Sequence, residues 1–422
     1  MNELDAIIIG GGPAGSCAAI RLAESGLRVL LLEEKHLPRH KLCGEFITAE
    51  SFPTLRRLKV MERMLAAGAQ KIERLTLSVP AGRAVHMTIA EMSDESAWAM
   101  SLSRARFDKI LIDRAREAGA HCLEGVAVKS CARDGSGAHA VEALSLSDGK
   151  EITFRAPLVI DASGRNSRFM VGRTERVGGR RGSRLYAMKA HLEGVEGIEE
   201  QVELYFFPQG YGGLSRVEDG LVNLCFIVNE RDVRAAEGDA SKVVERTIKN
   251  NSLARSRLSR FRVVGKWQTA GPLTFGTRRL YRDGIIAVGD ASGMIDPFTG
   301  TGMQIALRTG EMAADSIIET LGASELAGAM PATGTRESPY EPGPGVHAPP
   351  HPFERVLALY RARYDNELGR RMRAAEVLRS VAFSPGTANF FAGILARAPW
   401  LARLVLRSTR SGKPKDVIEG SF

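Results

Sequence analysis

The sequence predicts an α/β protein with a discontinuous Rossmann-type domain, a second domain built on an antiparallel sheet, and a helical C-terminal tail. Three observations predict this fold. A strand, a glycine-rich turn, a helix and a second strand follow one another over residues 5–33. A further strand runs into another glycine-rich turn and a helix over residues 285–304. Between them, residues 72–89 and 186–270 contain apolar segments whose partial alternation is typical of β-strands.

The first turn has the residue types that a Rossmann-type phosphate site needs. Its motif contains Gly10, Gly12, Pro13, Ala14 and Gly15. Gly10 permits the tight turn, Gly12 lets the backbone approach a pyrophosphate, and Gly15 lets the helix pack closely on the strand. Pro13 suits the first turn of that helix, whose free N–H groups attract phosphate. Because Glu33 at the end of the second strand can bind ribose hydroxyls, we predict a dinucleotide site here.

The second turn indicates which dinucleotide is bound. Asp290 follows the strand over residues 285–288 and can accept a hydrogen bond from a ribityl hydroxyl. A helix that opens at Gly302 can aim N–H groups at a flavin ring and stabilise its negative charge on reduction. Taken alone, this segment could be an ordinary strand–helix connection. Paired with the N-terminal motif, it favours a flavin dinucleotide.

Five blocks of sequence together resemble the FAD-dependent oxidoreductases with the para-hydroxybenzoate-hydroxylase-like fold. They are residues 10–15 with Glu33, 41–45 (Lys-Leu-Cys-Gly-Glu), 104–108, 161–167 and 289–302. Within this group the chain is most similar to the geranylgeranyl reductase-related branch, with flavin monooxygenases and halogenases as cousins. The resemblance covers about residues 1–320 and implies FAD as the cofactor.

The resemblance also implies contacts between individual residues and FAD. Gly12 and Gly15 would cradle the pyrophosphate, and Glu33 would bind the adenosine ribose. The other implied contacts are Arg104 at the phosphate or ribityl region, backbone of Val126 at the adenine, Asp161 in a motif near the pyrophosphate, Asp290 at the ribityl chain, and Gly300, Gly302 and Met303 near the isoalloxazine. The alternative for Arg104 is a surface arginine at a helix start.

The block at residues 41–45 is the predicted reaction centre. In the resembled reductases the corresponding cysteine and glycine lie against the flavin, so Gly44 would let the backbone pass near the ring. Cys43 could polarise the flavin or carry a proton, and Glu45 could act as an acid. The alternative is that Cys43 only packs and Glu45 caps the next segment. For a substrate pocket the candidates are Tyr205, Phe207 and Tyr211, which could equally belong to the sheet core.

We expect an FAD-dependent oxidoreductase that acts on a hydrophobic small molecule and reduces carbon–carbon double bonds of an isoprenoid-like or polyketide-like substrate. A monooxygenase that uses NAD(P)H and O2 is the first alternative, and a non-catalytic flavoprotein is the second. No second full Rossmann unit for NAD(P)H is visible, so this reductant stays an open option. The segment at residues 207–214 lacks the tryptophan that halogenases carry, which argues against halogenation.

Composition narrows the function classes. The net charge of +9 comes from scattered arginines without an aromatic-interleaved basic motif, so we expect no nucleic-acid binding. An anionic cofactor, acidic substrate or anionic lipid accounts better for this charge. The five dispersed cysteines indicate a reducing, cytoplasmic compartment. Because the histidines are scattered, we expect no metal site. The sequence contains no run of about 18 uncharged apolar residues, so we expect no transmembrane helix.

The expected FAD-binding domain comprises residues 1–70, 98–175 and 275–325, and the substrate domain residues 71–97 and 176–274. Residues 326–352 are rich in Pro, Gly and Ser, which predicts a flexible linker. A helical region over 353–422 follows, with an amphipathic stripe of Leu357, Tyr360, Tyr364, Leu368, Met372 and Ala375. Residues 390–407 mix large apolar groups with arginine, so this tail either packs on the protein or forms a lid or a peripheral membrane contact. The oligomeric state stays open.

Overall fold

The computed structural model describes residues 4–80, 84–134, 137–170, 184–326 and 352–373. Its strands are β1 Ala6–Ile9, β2 Val29–Glu33, β3 Phe46–Ile47, β4 Gln70–Ile72, β5 Arg74–Ser78, β6 Ala84–Thr88, β7 Ala99–Ser101, β8 His121–Glu124, β9 Val126–Arg133, β10 His139–Ser145, β11 Glu151–Ala156, β12 Leu158–Asp161, β13 Leu185–Glu193, β14 Gln201–Phe207, β15 Gly210–Arg216, β16 Val222–Asn229, β17 Arg262–Ala270, β18 Gly276–Thr277, β19 Tyr281–Arg282, β20 Ile285–Ala287 and β21 Gly293–Met294. Its helices are α1 Pro13–Glu24, α2 Phe52–Arg57, α3 Met61–Ala66, α4 Arg104–Glu117, α5 Glu230–Ala235, α6 Ala240–Arg246, α7 Ser252–Arg257, α8 Gly302–Leu326 and α9 Pro352–Glu367.

A six-stranded sheet in the order β19-β20-β12-β1-β2-β8 forms the centre of the nucleotide-binding part. Every residue of β1 and β2 is buried, as expected for parallel strands covered on both faces. Helices α1, α4 and α8 cover one face, with Ile8 and Leu31 in their shared core. The other face, through Ile7 and Leu30, packs on the three-stranded sheet β11-β10-β9. The sequence predicts the Rossmann-type order but not this second sheet.

The predicted substrate domain is built on a seven-stranded sheet, the substrate sheet, in the order β17-β13-β16-β15-β14-β5-β6. Its neighbours are antiparallel except for β14 and β5, which run parallel, so the prediction of an antiparallel sheet is confirmed for most of it. Helices α5, α6 and α7 cover one face through Val243, Val244 and Ala254. These three short helices lie inside the segment for which the sequence suggested strands alone.

The start of helix α4 and the buried face of helix α9 follow from their sequences. Helix α4 begins at Arg104, because the Ser103 hydroxyl caps it by accepting a hydrogen bond from the Arg106 N–H. Helix α9 packs on α8, and the buried side chains of Tyr360 and Tyr364 confirm these positions of the amphipathic stripe. Ala375, the last residue of the predicted stripe, lies outside the described residues. Within the described ranges, no helix has the length and apolar composition to cross a bilayer. Of the linker predicted at residues 326–352, residues 327–351 lie outside the described residues, and so does the tail at 390–407.

Candidate active site

One cavity of about 690 Å³ lies where the turns after β1, β12 and β20 meet the substrate sheet. The nucleotide-binding part contributes residues 12–14, 162–166 and 288–306 in broken stretches, and the substrate sheet contributes residues of β13 to β17. The loop over residues 40–46 lines the same cavity between the two parts. The cavity therefore joins the predicted cofactor residues to the predicted reaction centre.

Three glycines of the first turn have different steric surroundings. Gly10 has a φ of +108°, and a Cβ there would lie 2.4 Å from the Ala162 carbonyl oxygen. A Cβ on Gly15 would lie 1.9 Å from the Gly10 carbonyl oxygen, so both positions require glycine for close packing. At Gly12 a Cβ would meet only the Arg104 guanidinium, at 3.9 Å, because this position opens toward the cavity. Gly12 is also the N-cap of α1, which leaves the helix N-terminus available to an anion.

Glu33 lies against this turn. Its carboxylate is 5% exposed and accepts hydrogen bonds from the Gly11 N–H at 2.7 Å and the Lys35 N–H at 3.0 Å. Glu33 therefore fixes the shape of the phosphate turn, and its contact with ribose stays a prediction. Val126 is buried at the start of β9 and does not line the cavity, so its contact with adenine also stays a prediction.

A cluster of cations surrounds the cavity beside α1. Arg104 is 6% exposed and forms two hydrogen bonds of 2.7 Å with Asp108, so it is not a surface arginine. Although burial lowers the pKa of Arg104, the Asp108 carboxylate outweighs this effect and raises it. For Lys41, burial and the charges of Arg104 and Arg39 lower the pKa of the ammonium. The Nε atom of Arg39 is buried without a hydrogen-bond partner among the described residues.

The charge of this cluster shows whether the site suits the anionic FAD. Positive charge is in excess there, since Lys41 is destabilised by its cationic neighbours and one buried guanidinium N–H lacks an acceptor. A pyrophosphate between Gly12 and these groups would supply both the negative charge and the acceptor oxygens. The residues present therefore fit a dinucleotide cofactor.

The remaining predicted FAD contacts divide into two groups. Asp290, Gly300, Gly302 and Met303 line the cavity, on the turn that leads into α8. Asp161 does not, because its carboxylate is fully buried and accepts hydrogen bonds from Ser163 and Ser167 of its own loop. Burial raises the pKa of Asp161. It therefore shapes the loop at residues 162–166, and these residues face the cavity in its place.

Cys43, Gly44 and Glu45 all line the cavity, as the sequence predicts for a reaction centre. The Cys43 sulfur accepts a hydrogen bond from the Glu45 N–H at 3.3 Å. The Glu45 carboxylate is fully buried and bonds to the Arg104 N–H at 2.8 Å, to His191 Nε2 at 2.6 Å and to the Lys189 ammonium. Burial alone would raise the pKa of Glu45, but His191 and Lys189 lower it below its usual range. Glu45 is thus held as a carboxylate, which weighs against its role as an acid.

The aromatic candidates lie on two faces of the substrate sheet. Tyr211 lines the cavity and donates a hydrogen bond of 2.8 Å to Asp296, which precedes the turn into α8. Tyr205 and Phe207 belong to the core beneath α5 to α7, so their prediction as pocket residues is corrected. Strand alternation places Phe206 on the cavity side, where its ring packs against Tyr211 and Phe298.

Sequence reasoning missed Lys189 and His191. A signal was present, because these two polar residues alternate with Met188, Ala190 and Leu192 in a strand that is otherwise apolar. Such alternation predicts a strand with one polar face. What the polar face contacts could not be read from the sequence, since the partner Glu45 is 144 and 146 positions away.

The chain is similar to known flavoproteins over most of its length. The family model described as FAD binding domain matches residues 3–325, which confirms FAD as the cofactor. Digeranylgeranylglycerophospholipid reductase 2 of Methanopyrus kandleri is 29% identical over 76% of this chain and 78% of the relative. A flavin-dependent halogenase of Armillaria mellea is 27% identical over 75% of this chain and 68% of the relative. In fold, the chain is similar to the flavin-dependent brominase Bmp2, with a TM-score of 0.73, 21% identity and coverage of 97% and 93%.

Proposed function

Because the chain belongs to the FAD binding domain family and is an FAD-dependent oxidoreductase, we propose that it reduces carbon–carbon double bonds of a hydrophobic, isoprenoid-like or polyketide-like substrate. The observation that carries the proposal is the single cavity shared by cofactor residues and an apolar wall. That wall consists of Leu75, Val202, Leu204, Ile227, Leu273 and Phe298. An apolar wall of this kind suits a hydrocarbon chain more than a polar metabolite.

When bound, FAD supplies the hydride chemistry. The protein's own residues bind the cofactor, orient the substrate and manage the proton. Gly12 and the N-terminus of α1 would hold the pyrophosphate, and Asp290 the ribityl chain. Tyr211 and Phe298 would close one side of the substrate space. Cys43 lines the cavity, so its thiol is the candidate donor of the proton that completes alkene reduction.

The test is anaerobic turnover with a chemical reductant. FAD-loaded protein is reduced with dithionite and mixed with a digeranylgeranylglycerophospholipid, and the lipid is analysed by mass spectrometry. We expect products that have gained one H2 for each reduced double bond, and a lower rate for Cys43→Ser by about 10²–10⁴-fold, the usual contribution of general acid catalysis. Intact lipid together with NAD(P)H-dependent product formation that requires O2 would overturn the reductase proposal.

That second outcome defines the other candidate, an O2-dependent monooxygenase. The similarity to a flavin-dependent halogenase favours it, because the chain is 27% identical to that halogenase and 29% identical to the reductase. Oxygen consumption with NADH or NADPH, measured with and without candidate substrates, tests it directly. A separate anaerobic measurement tests NAD(P)H as the physiological reductant, because bleaching of the flavin absorbance by NAD(P)H reports electron transfer without substrate.

A further inference from the structure

Four polar side chains lie together on the cavity face of the substrate sheet. Strand register places His191 opposite Asn223 and Asn223 opposite Ser215, so these three form a row across β13, β16 and β15. Lys189 is two residues from His191 and therefore lies on the same face. All four are at most 7% exposed. Buried polar groups require partners, and here the partners belong to one loop.

That loop is residues 41–45, and three of its carbonyl oxygens accept hydrogen bonds from three of these four side chains. The Lys189 ammonium donates to the Lys41 carbonyl at 3.3 Å. The Asn223 side-chain amide donates to the Cys43 carbonyl at 3.1 Å. The Ser215 hydroxyl donates to the Gly44 carbonyl at 3.3 Å. The sheet thus holds the loop backbone on both sides of the Cys43 sulfur.

The loop conformation is costly by itself. Glu45 has a φ of +56°, in the left-handed region that disfavours a residue with a Cβ, and its carboxylate is fully buried. Backbone strain and a buried charge persist only where the surroundings compensate for both. Lys189 and His191 provide that compensation by bonding to the two carboxylate oxygens.

We propose that Lys189, His191, Asn223 and Ser215 form a loop cradle, which fixes residues 41–45 against the cavity and so positions the Cys43 thiol for the redox step. These four are positioning residues. The role in the redox step rests on the proposed function. The immobilisation of the loop does not depend on that function, and it can be measured without any substrate. The cradle also sets the charge beside the cavity, through the pair of Lys189 with Glu45.

The first test measures how firmly the loop is held. Asn223→Ala and Ser215→Ala each remove one hydrogen bond to a loop carbonyl. In FAD-loaded protein we expect the alkylation of Cys43 by iodoacetamide, followed by peptide mass spectrometry, to accelerate by about threefold to tenfold, the scale of one lost hydrogen bond. Ser78→Ala is the matched control, because Ser78 bonds to Asn251 at 3.1 Å in the same domain and away from the loop. Rates equal to wild type in both cradle variants would overturn the proposal.

The second test measures the midpoint potential of bound FAD in variants that change charge. A purely structural role of these residues would not shift the potential in opposite directions. Lys189→Met leaves the Glu45 carboxylate beside the cavity and should make the midpoint potential of bound FAD more negative, because reduction adds negative charge. Glu45→Gln leaves the Lys189 ammonium and should make the potential more positive. The double variant Glu45→Gln/Lys189→Met should return toward wild type. Shifts of the same sign in both single variants, or none, would contradict the charge assignment.

The two tests separate the cradle from the proposed function. If the lipid is not reduced but Cys43 alkylation responds as expected, the cradle stands and the reaction is wrong. If a charge variant fails to fold, Asn223→Ala and Ser215→Ala still decide the question, since each removes a neutral hydrogen bond only.

Discussion

Gly12 shows how a single missing side chain makes room for the cofactor. Its φ of −76° and ψ of −175° are accessible to any residue, so Gly12→Val should fold. The valine side chain would extend into the cavity and occupy the pyrophosphate path. We expect the purified variant to have lost FAD absorbance while its thermal unfolding stays close to that of FAD-free wild type.

Gly15→Ala is the informative comparison. Its Cβ would lie 1.9 Å from the Gly10 carbonyl oxygen, so this variant should lose folding stability as well as FAD. FAD retained at the wild-type level in Gly12→Val would contradict the placement of the pyrophosphate.

The Glu45 carboxylate should be visible in the dependence of stability on pH. Its pKa is lowered in the folded protein by His191 and Lys189, against the effect of burial. The unfolded chain then binds the proton more readily, so the contribution of Glu45 is complete above its ordinary pKa of about 4.5 and is lost as the pH falls through the lower folded value. In urea unfolding, Glu45→Gln should therefore lose stability less steeply than wild type below about pH 4.5.

Glu245→Gln is the control for this pH experiment, because Glu245 pairs with Lys249 on the surface and its side chain is 56% exposed. Its acid slope should follow wild type, since exposed pairs contribute little. Identical slopes for wild type and Glu45→Gln would show that the cradle does not hold an ionised carboxylate.

At the scale of elements, a buried hydrogen bond joins helix α9 to the central sheet. The Tyr360 hydroxyl donates to the Ala287 carbonyl of β20 at 2.8 Å, and the tyrosine is fully buried. Tyr360→Phe leaves that carbonyl without its donor, so we expect a loss of about 1–2 kcal/mol in the free energy of unfolding. Tyr281→Phe, at an exposed ring, should change stability by less than about 0.5 kcal/mol. Equal losses of stability in the two variants would show that the Tyr360 hydrogen bond does not stabilise the fold.

Elements with a local signal could be predicted from the sequence. Three of them have a pattern that is visible within about twenty residues: the strand and turn around Gly10, the helix that starts at Gly302, and the stripe that contains Tyr360. The sheet β9 to β11 could not, because it depends on pairing between strands that the sequence does not specify. Helices α5 to α7 could not, because six or seven residues are too few to show a distinctive period.

The same limit explains which site residues were found. The glycines and Asp290 follow from motifs, but the choice between pocket and core for Tyr205 and Phe207 does not, and the structure places both in the core. Alternation says that neighbours face opposite ways, and it does not say which face meets the cavity. The cradle residues Lys189 and Asn223 depend on strand register and on loop partners 148 and 180 positions away, which one sequence does not reveal.

At the scale of the whole molecule, the charge balance leads to a prediction about the tail. The chain carries a net charge of +9, and residues 390–407 interleave Phe, Trp and Leu with three arginines. Apolar groups flanked by arginine favour the surface of an anionic bilayer, where a hydrophobic substrate would also reside. We propose that this segment binds lipid, so full-length protein should float with liposomes that contain anionic lipid.

A chain that ends before Phe390 should remain at the bottom of the gradient, and liposomes of neutral lipid should recover less of the full-length protein. Raising the salt concentration should weaken the flotation, because the arginine contribution is screened. Substitution of Arg397, Arg403 and Arg407 by glutamine separates the two contributions, since it removes charge and keeps the apolar groups. Equal flotation of the full-length and shortened chains would assign lipid binding to another surface and leave the tail as a packed helix.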